Sequence, residues 1–187
     1  MAQHKTKQPA RPIYLVGYMA AGKTTVGKML AEFIGWRFVD LDDAFLQIHG
    51  LTPAEYIRTY GIEAFRKKEK YVLEDIADMS PYEQVVYATG GGYPCWEDNM
   101  ECLNELGTSI YLQWEAEDLA RRLMLTDLNE RPVLQGRNEA ELTEFIRPQL
   151  AARHPFYMQA NHVVKAPGFV PEADEMLAET IRQLLFE

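Results

Sequence analysis

Short apolar runs alternate with amphipathic segments along most of the chain. Five runs have the length and composition of buried strands: Ile13–Gly17, Trp36–Asp40, Val85–Thr89, Ser109–Gln113 and His162–Lys165. Between and after them, the spacing of apolar residues predicts helices over Lys23–Ile34, Leu41–His49, Pro53–Thr59, Ile62–Met79, Trp96–Leu106, Glu115–Leu125, Glu139–Arg153 and Pro171–Phe186. This alternation predicts an α/β fold in which helices cover both faces of a five-stranded parallel sheet.

Local signals refine two of these helices. The segment Glu139–Arg153 is expected to break near Pro148 or Pro155, because proline removes a helical hydrogen bond. In the last helix, the apolar positions expected to face the core are Met176, Leu177, Ile181, Leu184 and Leu185. Right-handed crossovers bring the carboxyl ends of parallel strands to one edge of the sheet, where ligands bind.

Length and charge narrow the classes of function. The chain has 187 residues, which predicts a single domain spanning 1–187, with a polar tail at 1–11 that lacks the apolar stretch of a secretory signal. A net charge of −9 argues against a nucleic-acid partner. No apolar run is long enough to span a membrane, and Cys95 and Cys102 have neither disulfide-framework nor metal-site spacing, so we expect a cytoplasmic protein with free thiols.

A phosphate-binding motif follows the first strand. Gly17–Thr24 reads GYMAAGKT and matches G-x-x-x-x-G-K-[ST], with a predicted strand before it and a predicted helix after it. The backbone amides of such a loop cradle a nucleotide phosphate. Lys23 is expected to reach the β- and γ-phosphates, and the Thr24 hydroxyl to hold Mg²⁺. An ordinary glycine turn is the alternative interpretation, and the flanking strand and helix argue against it.

Two aspartates follow the second strand. Asp40 and Asp42 lie two residues apart, so on an extended chain their side chains point the same way. One carboxylate suits a water-bridged Mg²⁺ ligand, and the other could accept a proton from an attacking hydroxyl or orient it. The alternative is structural, with Asp42 or Asp43 capping the next helix.

Further candidates lie on the long helix and after the third strand. Arg66 and Glu69 are neighbours on the helix surface at i and i+3, although a solvated charged face is the plainer interpretation among so many lysines. Gly90, Gly91 and Gly92 follow the third strand, where three glycines permit a ligand to approach bare backbone. A flexible connecting loop is the alternative at that position.

The polar segment 126–138 is the longest irregular stretch. It contains Arg131 and Arg137, and a segment of this kind within a compact domain is typical of a lid or a binding loop. An arginine carried by a closing lid could neutralise charge on a phosphoryl group in transfer. Arg153 follows in the sequence ARHPFY, and taken alone it reads as a surface residue.

In this order and spacing, the motifs resemble shikimate kinase, in the nucleoside-monophosphate-kinase-like branch of the P-loop kinases. The resemblance runs from about Ile13 to Ala160. It is carried by GYMAAGKTTVG, FVDLD, GIEAFRKKE, TGGG, RPVL and R-x-P-x-Y-x-x-A, the last running from Arg153 to Ala160. It implies a three-layer α/β/α P-loop kinase with substrate-binding helices at 41–80, a mobile lid at 126–138, and transfer of the ATP γ-phosphate to the 3-hydroxyl of shikimate, a step of aromatic amino acid biosynthesis.

The resemblance also implies residue roles. Asp42 would contact the ring hydroxyls and activate the acceptor, Asp40 would support Mg²⁺, and Glu69 would orient Arg66. Arg66 and Arg153 would hold the substrate carboxylate, and the triple glycine would contact the substrate. The expected ATP-binding residues are Ala20, Ala21, Gly22, Lys23, Thr24, Thr25 and Arg131, and the expected catalytic residues are Lys23, Asp42 and Arg131.

One residue departs from the family pattern. Ala20 stands where the family usually has glycine, which is harmless at negative φ and costs about 1 kcal/mol at positive φ. Two alternative functions are a related kinase acting on gluconate or a nucleotide, and a non-enzymatic nucleotide-binding switch. The chain lacks the Asn-Lys-x-Asp base-reading motif of such switches. Nothing in the sequence indicates an obligate interface, so we expect a monomer.

Overall fold

A parallel sheet forms the centre of the molecule. The computed structural model describes residues 11–79, 84–126 and 134–186. Its five strands are β1 (Ile13–Val16), β2 (Arg37–Asp40), β3 (Val85–Ala88), β4 (Thr108–Gln113) and β5 (His162–Lys165). They lie in the order β2-β3-β1-β4-β5, and every neighbouring pair is parallel. The predicted five-stranded parallel α/β fold is confirmed.

The helices connect the strands and cover the sheet. They are α1 (Lys23–Ile34), α2 (Leu41–His49), α3 (Pro53–Tyr60), α4 (Ile62–Met79), α5 (Asn99–Leu106), α6 (Ala116–Met124), α7 (Glu139–Tyr157) and α8 (Ala173–Phe186). A short 3₁₀ turn over Tyr93–Cys95 precedes α5, which begins three residues later than predicted. Within the described ranges, no helix combines the length and apolar character that a bilayer span requires.

The expected break in α7 is wrong. The helix continues through both Pro148 and Pro155. Each proline removes one backbone donor, which is a local loss. Leu142 and Ile146 before Pro148 and Tyr157 after Pro155 are fully buried, so tertiary packing holds the helix together on both sides of the prolines.

The last helix buries a narrower face than its sequence suggests. In α8, Leu177 and Ile181 are buried, as predicted, whereas Met176 and Leu184 are each about half exposed. The two exposed residues therefore lie at the margins of the apolar face. Such single apolar side chains on the surface are ordinary.

Two hydrophobic clusters are separate from one another. The larger one contains the buried strands β1, β3 and β4 and the helices packed on them. The smaller one consists of Phe45, Phe65 and Val72, with Tyr56 and Ile57 packed against it. It lies wholly within α2, α3 and α4, so these helices carry a small core of their own at one side of the sheet.

Candidate active site

The phosphate loop runs from the end of β1 to the start of α1. Gly22 is the N-cap residue with φ of 85°, and no side chain caps the helix, so the first amides of α1 are available to a ligand. Lys23 donates hydrogen bonds to the carbonyl oxygens of Gly17, at 3.0 Å, and Tyr18, at 2.8 Å. The loop therefore carries a buried ammonium group and a helix N-terminus at one place, an arrangement suited to a phosphate.

Ala20 has φ of 61°, in the left-handed region that favours glycine. This is the unfavourable one of the two cases that the sequence left open. The strain is about 1 kcal/mol for a residue with a Cβ atom.

Asp40 links the second strand to the phosphate loop. It ends β2 and is the N-cap of α2, accepting a hydrogen bond from the Asp42 amide at 3.0 Å. Its other carboxylate oxygen accepts a hydrogen bond from the Thr24 hydroxyl at 2.6 Å. The capping residue is thus Asp40, and the alternative interpretation, in which Asp42 or Asp43 caps the helix, is wrong.

Asp42 lies within the helix predicted over Leu41–His49, so the same-side placement that extended chain would give to Asp40 and Asp42 does not apply. It belongs to the first turn of α2, because Asp40 ends the strand and turns the backbone into the helix. Its side chain is exposed and lines the cleft described below. Desolvation, and next the charge of Asp40, raise the pKa of Asp42, while Lys23 and Arg66 oppose the shift.

Arg66 and Glu69 form a buried ion pair on α4. An Arg66 guanidinium nitrogen donates a hydrogen bond to Glu69, and their side chains are only 14% and 3% exposed, respectively. Burial raises the pKa of Glu69 to about 7, although Arg66 acts in the opposite direction. The interpretation of these residues as a solvated charged face is therefore wrong.

The triple glycine makes room for these side chains. A Cβ atom on Gly90 would lie 2.5 Å from a Glu69 carboxylate oxygen and 3.2 Å from one of Asp42. A Cβ atom on Gly92 would overlap the Arg66 guanidinium at 1.9 Å. Any larger residue at either position would displace a charged group of the candidate site.

Arg153 approaches the same region from α7. Its guanidinium lies 5.0 Å from the centroid of the Tyr18 ring. Burial raises the pKa of the Cys95 thiol, while the positive charges of Arg153 and Arg66 both act to lower it. The Arg153 guanidinium also donates to the Gln149 side-chain oxygen at 3.5 Å, so Arg153 is not an isolated surface residue.

A cleft with a volume of about 670 Å³ lies at the carboxyl edge of the sheet. The predicted residues that line it are Ala20, Gly22, Lys23, Thr24, Thr25, Asp40, Asp42, Gly90 and Gly91. Ala21 is buried beside it, and Arg66, Gly92 and Arg153 lie outside its lining. Arg131, and with it most of the predicted lid, lies outside the described residues.

The cleft also contains residues that the sequence analysis missed. They are Arg122 and Leu125 at the end of α6, and Phe169, Val170, Pro171 and Asp174 between β5 and the first turn of α8. Thr126, the first residue of the predicted lid, lines the cleft as well. The second group follows the carboxyl end of β5, so the parallel topology alone could have indicated it. Arg122 reads as an ordinary charge on an amphipathic helix, and no sequence signal distinguished it.

The oxygen atoms at Thr24 and Asp40 suit a magnesium ion. Mg²⁺ takes one or two protein oxygens, with nucleotide phosphates and water completing its octahedron. The contact between the Thr24 hydroxyl and the Asp40 carboxylate places two such oxygens beside the phosphate loop. Among the described residues, no group of three or more His, Cys, Asp or Glu side chains could hold a metal by itself.

Known proteins share both the sequence and the fold. A family model described as shikimate kinase matches residues 19–185. A shikimate kinase of Parabacteroides distasonis is 43% identical over 162 residues, covering 87% of this chain and 91% of the relative. A crystal structure of shikimate kinase from Bacteroides thetaiotaomicron superposes with a TM-score of 0.84 at 36% identity, covering 94% of this chain and 98% of that one.

A second similar structure contains a bound ligand. Shikimate kinase from Acinetobacter baumannii in complex with shikimate has a TM-score of 0.79 and 31% identity, and covers 94% of this chain and 93% of that one. The phosphate loop, the paired arginines and the triple glycine thus occur in a chain that matches these proteins over nearly its whole length. On both sequence and structure, this chain belongs to the shikimate kinase family.

Proposed function

We propose that this chain transfers the γ-phosphoryl group of ATP to the 3-hydroxyl of shikimate, giving shikimate 3-phosphate and ADP, and so serves chorismate and aromatic amino acid biosynthesis. The observation that carries the proposal is one juxtaposition at the sheet edge. Gly91 packs against the backbone of the phosphate loop, while Gly90 and Gly92 pack against Asp42, Glu69 and Arg66. A phosphate cradle and an acceptor site therefore share one wall.

The nucleotide occupies the side of the cleft nearest the phosphate loop. The amides from Ala20 to Thr25 surround its phosphates, and Lys23 turns from the loop carbonyls toward the β- and γ-phosphates. When bound, Mg²⁺ neutralises charge on the β- and γ-phosphate oxygens and helps to align them. Thr24 would hold the ion directly, and Asp40 would do so through water.

Shikimate occupies the side formed by α2, α4 and α7. Its carboxylate pairs with Arg66 and Arg153, whose planar guanidinium groups suit a planar anion. Glu69 holds Arg66 in position through their buried ion pair. This arrangement directs the 3-hydroxyl toward Asp42 and the γ-phosphate.

The reaction joins the shikimate 3-oxygen to the γ-phosphorus and breaks the bond from that phosphorus to the β–γ bridging oxygen. Asp42 accepts or orients the hydroxyl proton as the new bond forms. Lys23, and Arg131 on the proposed lid at 126–138, stabilise the charge of the transferring group. Residues 41–80 act as the substrate-binding helices of a single kinase domain, working as a cytoplasmic monomer.

A turnover assay separates this proposal from its alternatives. ADP release is measured with ATP and Mg²⁺ alone, and then with shikimate, gluconate or nucleoside monophosphates added. A shikimate kinase releases ADP at a high rate only with shikimate. Equal rates with all acceptors, or with none, would contradict the proposal and favour a different kinase or a nucleotide switch.

A further inference from the structure

Two side-chain donors hold the strained part of the phosphate loop. The Arg122 Nε–H donates to the carbonyl oxygen of Ala20 at 2.7 Å. The Trp114 indole N–H donates to the carbonyl oxygen of Ala21 at 3.0 Å. These two bonds fix consecutive peptide groups directly after the residue with φ of 61°.

The donors are themselves immobilised. Arg122 forms an ion pair with both carboxylate oxygens of Asp174, at 2.8 and 3.0 Å. Its guanidinium lies 4.5 Å from the centroid of the Trp114 ring, and Trp114 is only 3% exposed. We call Trp114, Arg122 and Asp174 the loop clamp.

The same groups also confine Gly22. A Cβ atom on this residue would lie 2.4 Å from a carboxylate oxygen of Asp174 and 2.8 Å from a guanidinium nitrogen of Arg122. Three consecutive residues of the loop, Ala20, Ala21 and Gly22, are therefore each held by the loop clamp. Trp114 directly follows β4, Arg122 lies on α6, and Asp174 lies in the first turn of α8.

We propose that Trp114 and Arg122 are positioning residues that keep Ala20 in its left-handed conformation and so preorganise the phosphate-binding amides before nucleotide arrives. An alanine at this φ favours other conformations, in which the following amides would point elsewhere. The two carbonyl hydrogen bonds offset that preference. This inference rests on the proposed function only in assuming that the loop binds a nucleotide phosphate.

Trp114 provides the sharper test because, unlike Arg122, it does not line the cleft. Trp114→Phe keeps an aromatic ring under Arg122 and removes the hydrogen bond to Ala21. Amide hydrogen exchange over residues 18–23 is measured without nucleotide, and the dissociation constants of ATP and shikimate are measured by calorimetry. Trp36→Phe is the matched control, since Trp36 packs edge-on against Phe186, at the opposite end of α8 from Asp174.

The expected result is faster exchange over 18–23 and an ATP dissociation constant raised about fivefold, the size of effect that loss of one buried hydrogen bond gives. Shikimate affinity should stay within about twofold, because the loop clamp does not touch the acceptor site. Trp36→Phe should change neither quantity. Unchanged exchange and unchanged ATP affinity in Trp114→Phe would overturn the proposal.

A double-mutant cycle with Ala20→Gly tests the mechanism itself. Glycine adopts positive φ without strain, so the loop then depends less on the loop clamp, and Trp114→Phe should weaken ATP binding by less than about twofold in that background. An equal loss in both backgrounds would show that Trp114 acts by another route. If Trp114→Phe does not fold, Arg122→Met completes the same cycle, read by hydrogen exchange without nucleotide.

These outcomes are distinct from a failure of the proposed function. A chain that binds ATP through this loop but phosphorylates another acceptor would still show the exchange and coupling effects. If the chain phosphorylates shikimate but shows no coupling between Trp114 and Ala20, the proposed function stands and the positioning role of Trp114 is contradicted.

Discussion

The hydroxyl of Tyr157 donates a hydrogen bond to the carbonyl oxygen of Gly91 at 2.5 Å, joining the end of α7 to the glycine turn after β3. Tyr157 is fully buried and lies one helical turn beyond Arg153. α7 carries Arg153, which we propose binds the substrate carboxylate, and the glycine turn is proposed to contact shikimate. The hydrogen bond from Tyr157 therefore holds these two parts of the acceptor site together.

Tyr157→Phe should loosen that connection. We expect a shikimate KM raised about fivefold, an ATP KM within about twofold, and a stability loss of about 1–2 kcal/mol from the unpaired carbonyl. Steady-state kinetics and urea unfolding measure these quantities. Tyr71→Phe, at an exposed position on α4, is the control. A stability loss with both KM values unchanged would limit Tyr157 to a structural role.

Removal of either arginine proposed to bind the substrate carboxylate should weaken the binding of shikimate and leave the binding of ATP nearly unchanged. Arg66→Ala or Arg153→Ala should raise the shikimate KM at least about tenfold and change the ATP KM little, since a charge-assisted hydrogen bond contributes about 1.5–3 kcal/mol. Lysine at either site should rescue only partly because it lacks the planar fork. Arg147→Ala, at an exposed site on α7, should have no effect.

A substrate analogue provides the control on that interpretation. The wild-type enzyme should prefer shikimate to an analogue with a neutral amide in place of the carboxylate, and the alanine variants should lose this preference. If both variants keep the wild-type preference, the carboxylate binds elsewhere.

Glu69 should make shikimate binding depend on pH. Its pKa is raised to about 7 by burial, so the carboxylate that orients Arg66 is protonated at lower pH. The shikimate KM should therefore fall as pH rises from about 6 to 8, and Glu69→Gln should flatten this dependence. Glu63→Gln, at an exposed site on α4, should keep the wild-type profile. An unchanged profile in Glu69→Gln would assign the dependence to another group.

The same shift has an opposite consequence for stability. The pKa of Glu69 is about 7 in the folded state, where the carboxyl keeps its proton up to about that pH, whereas the unfolded state releases the proton near the ordinary glutamate pKa of 4.5. Stability contributed by this group is therefore greatest at low pH and decreases as pH rises between those values. The melting temperature of wild type relative to Glu69→Gln, measured across this range without ligand, should show that decrease.

Lys23→Met should lower kcat at least about a hundredfold, as loss of one strong electrostatic donor does in other active sites. Lys23 is buried beside the phosphate loop, so its charge acts at the proposed γ-phosphate position. Lys28→Met, at an exposed position on α1, provides the control for loss of a lysine. Turnover near the wild-type rate would exclude a phosphoryl-transfer role for Lys23.

Asp42→Asn should abolish most turnover while ATP still binds. Asp42 lines the cleft together with Lys23, and its charge is the one expected to receive or orient the hydroxyl proton. Titration with a fluorescent ATP analogue measures binding, and Asp43→Asn on the adjacent residue is the control. Loss of nucleotide binding with shikimate binding intact would make Asp42 a metal-binding residue instead.

The sequence predicted the fold well where local signals decide it. The bounds of α1 and α2 agree with their predictions because glycines end both helices in left-handed turns at Gly35 and Gly50. Where tertiary packing decides the outcome, as in α7, the prediction was wrong. The prolines of α7 remain within the helix because buried residues flank them, a relationship that no window of sequence contains.

In the candidate site too, features with a local sequence pattern were predicted and features that depend on tertiary contacts were not. The phosphate loop and the glycine turn have local patterns, and both lie at the predicted edge of the sheet. Arg122 acts on the Ala20 carbonyl across 102 positions of sequence, so its contact depends on the tertiary fold alone. The expectation that Asp40 and Asp42 point the same way holds only on extended chain, and it does not apply because Asp42 lies in the first turn of α2, inside the helix predicted over Leu41–His49.

The small cluster of Phe45, Phe65 and Val72 bears on how substrate choice can change during evolution. Its side chains pack within α2–α4, apart from the core under the sheet, so substitutions there need not disturb the strands that carry the phosphate loop. Selection can therefore reshape the acceptor side of the molecule while the nucleotide chemistry is inherited unchanged.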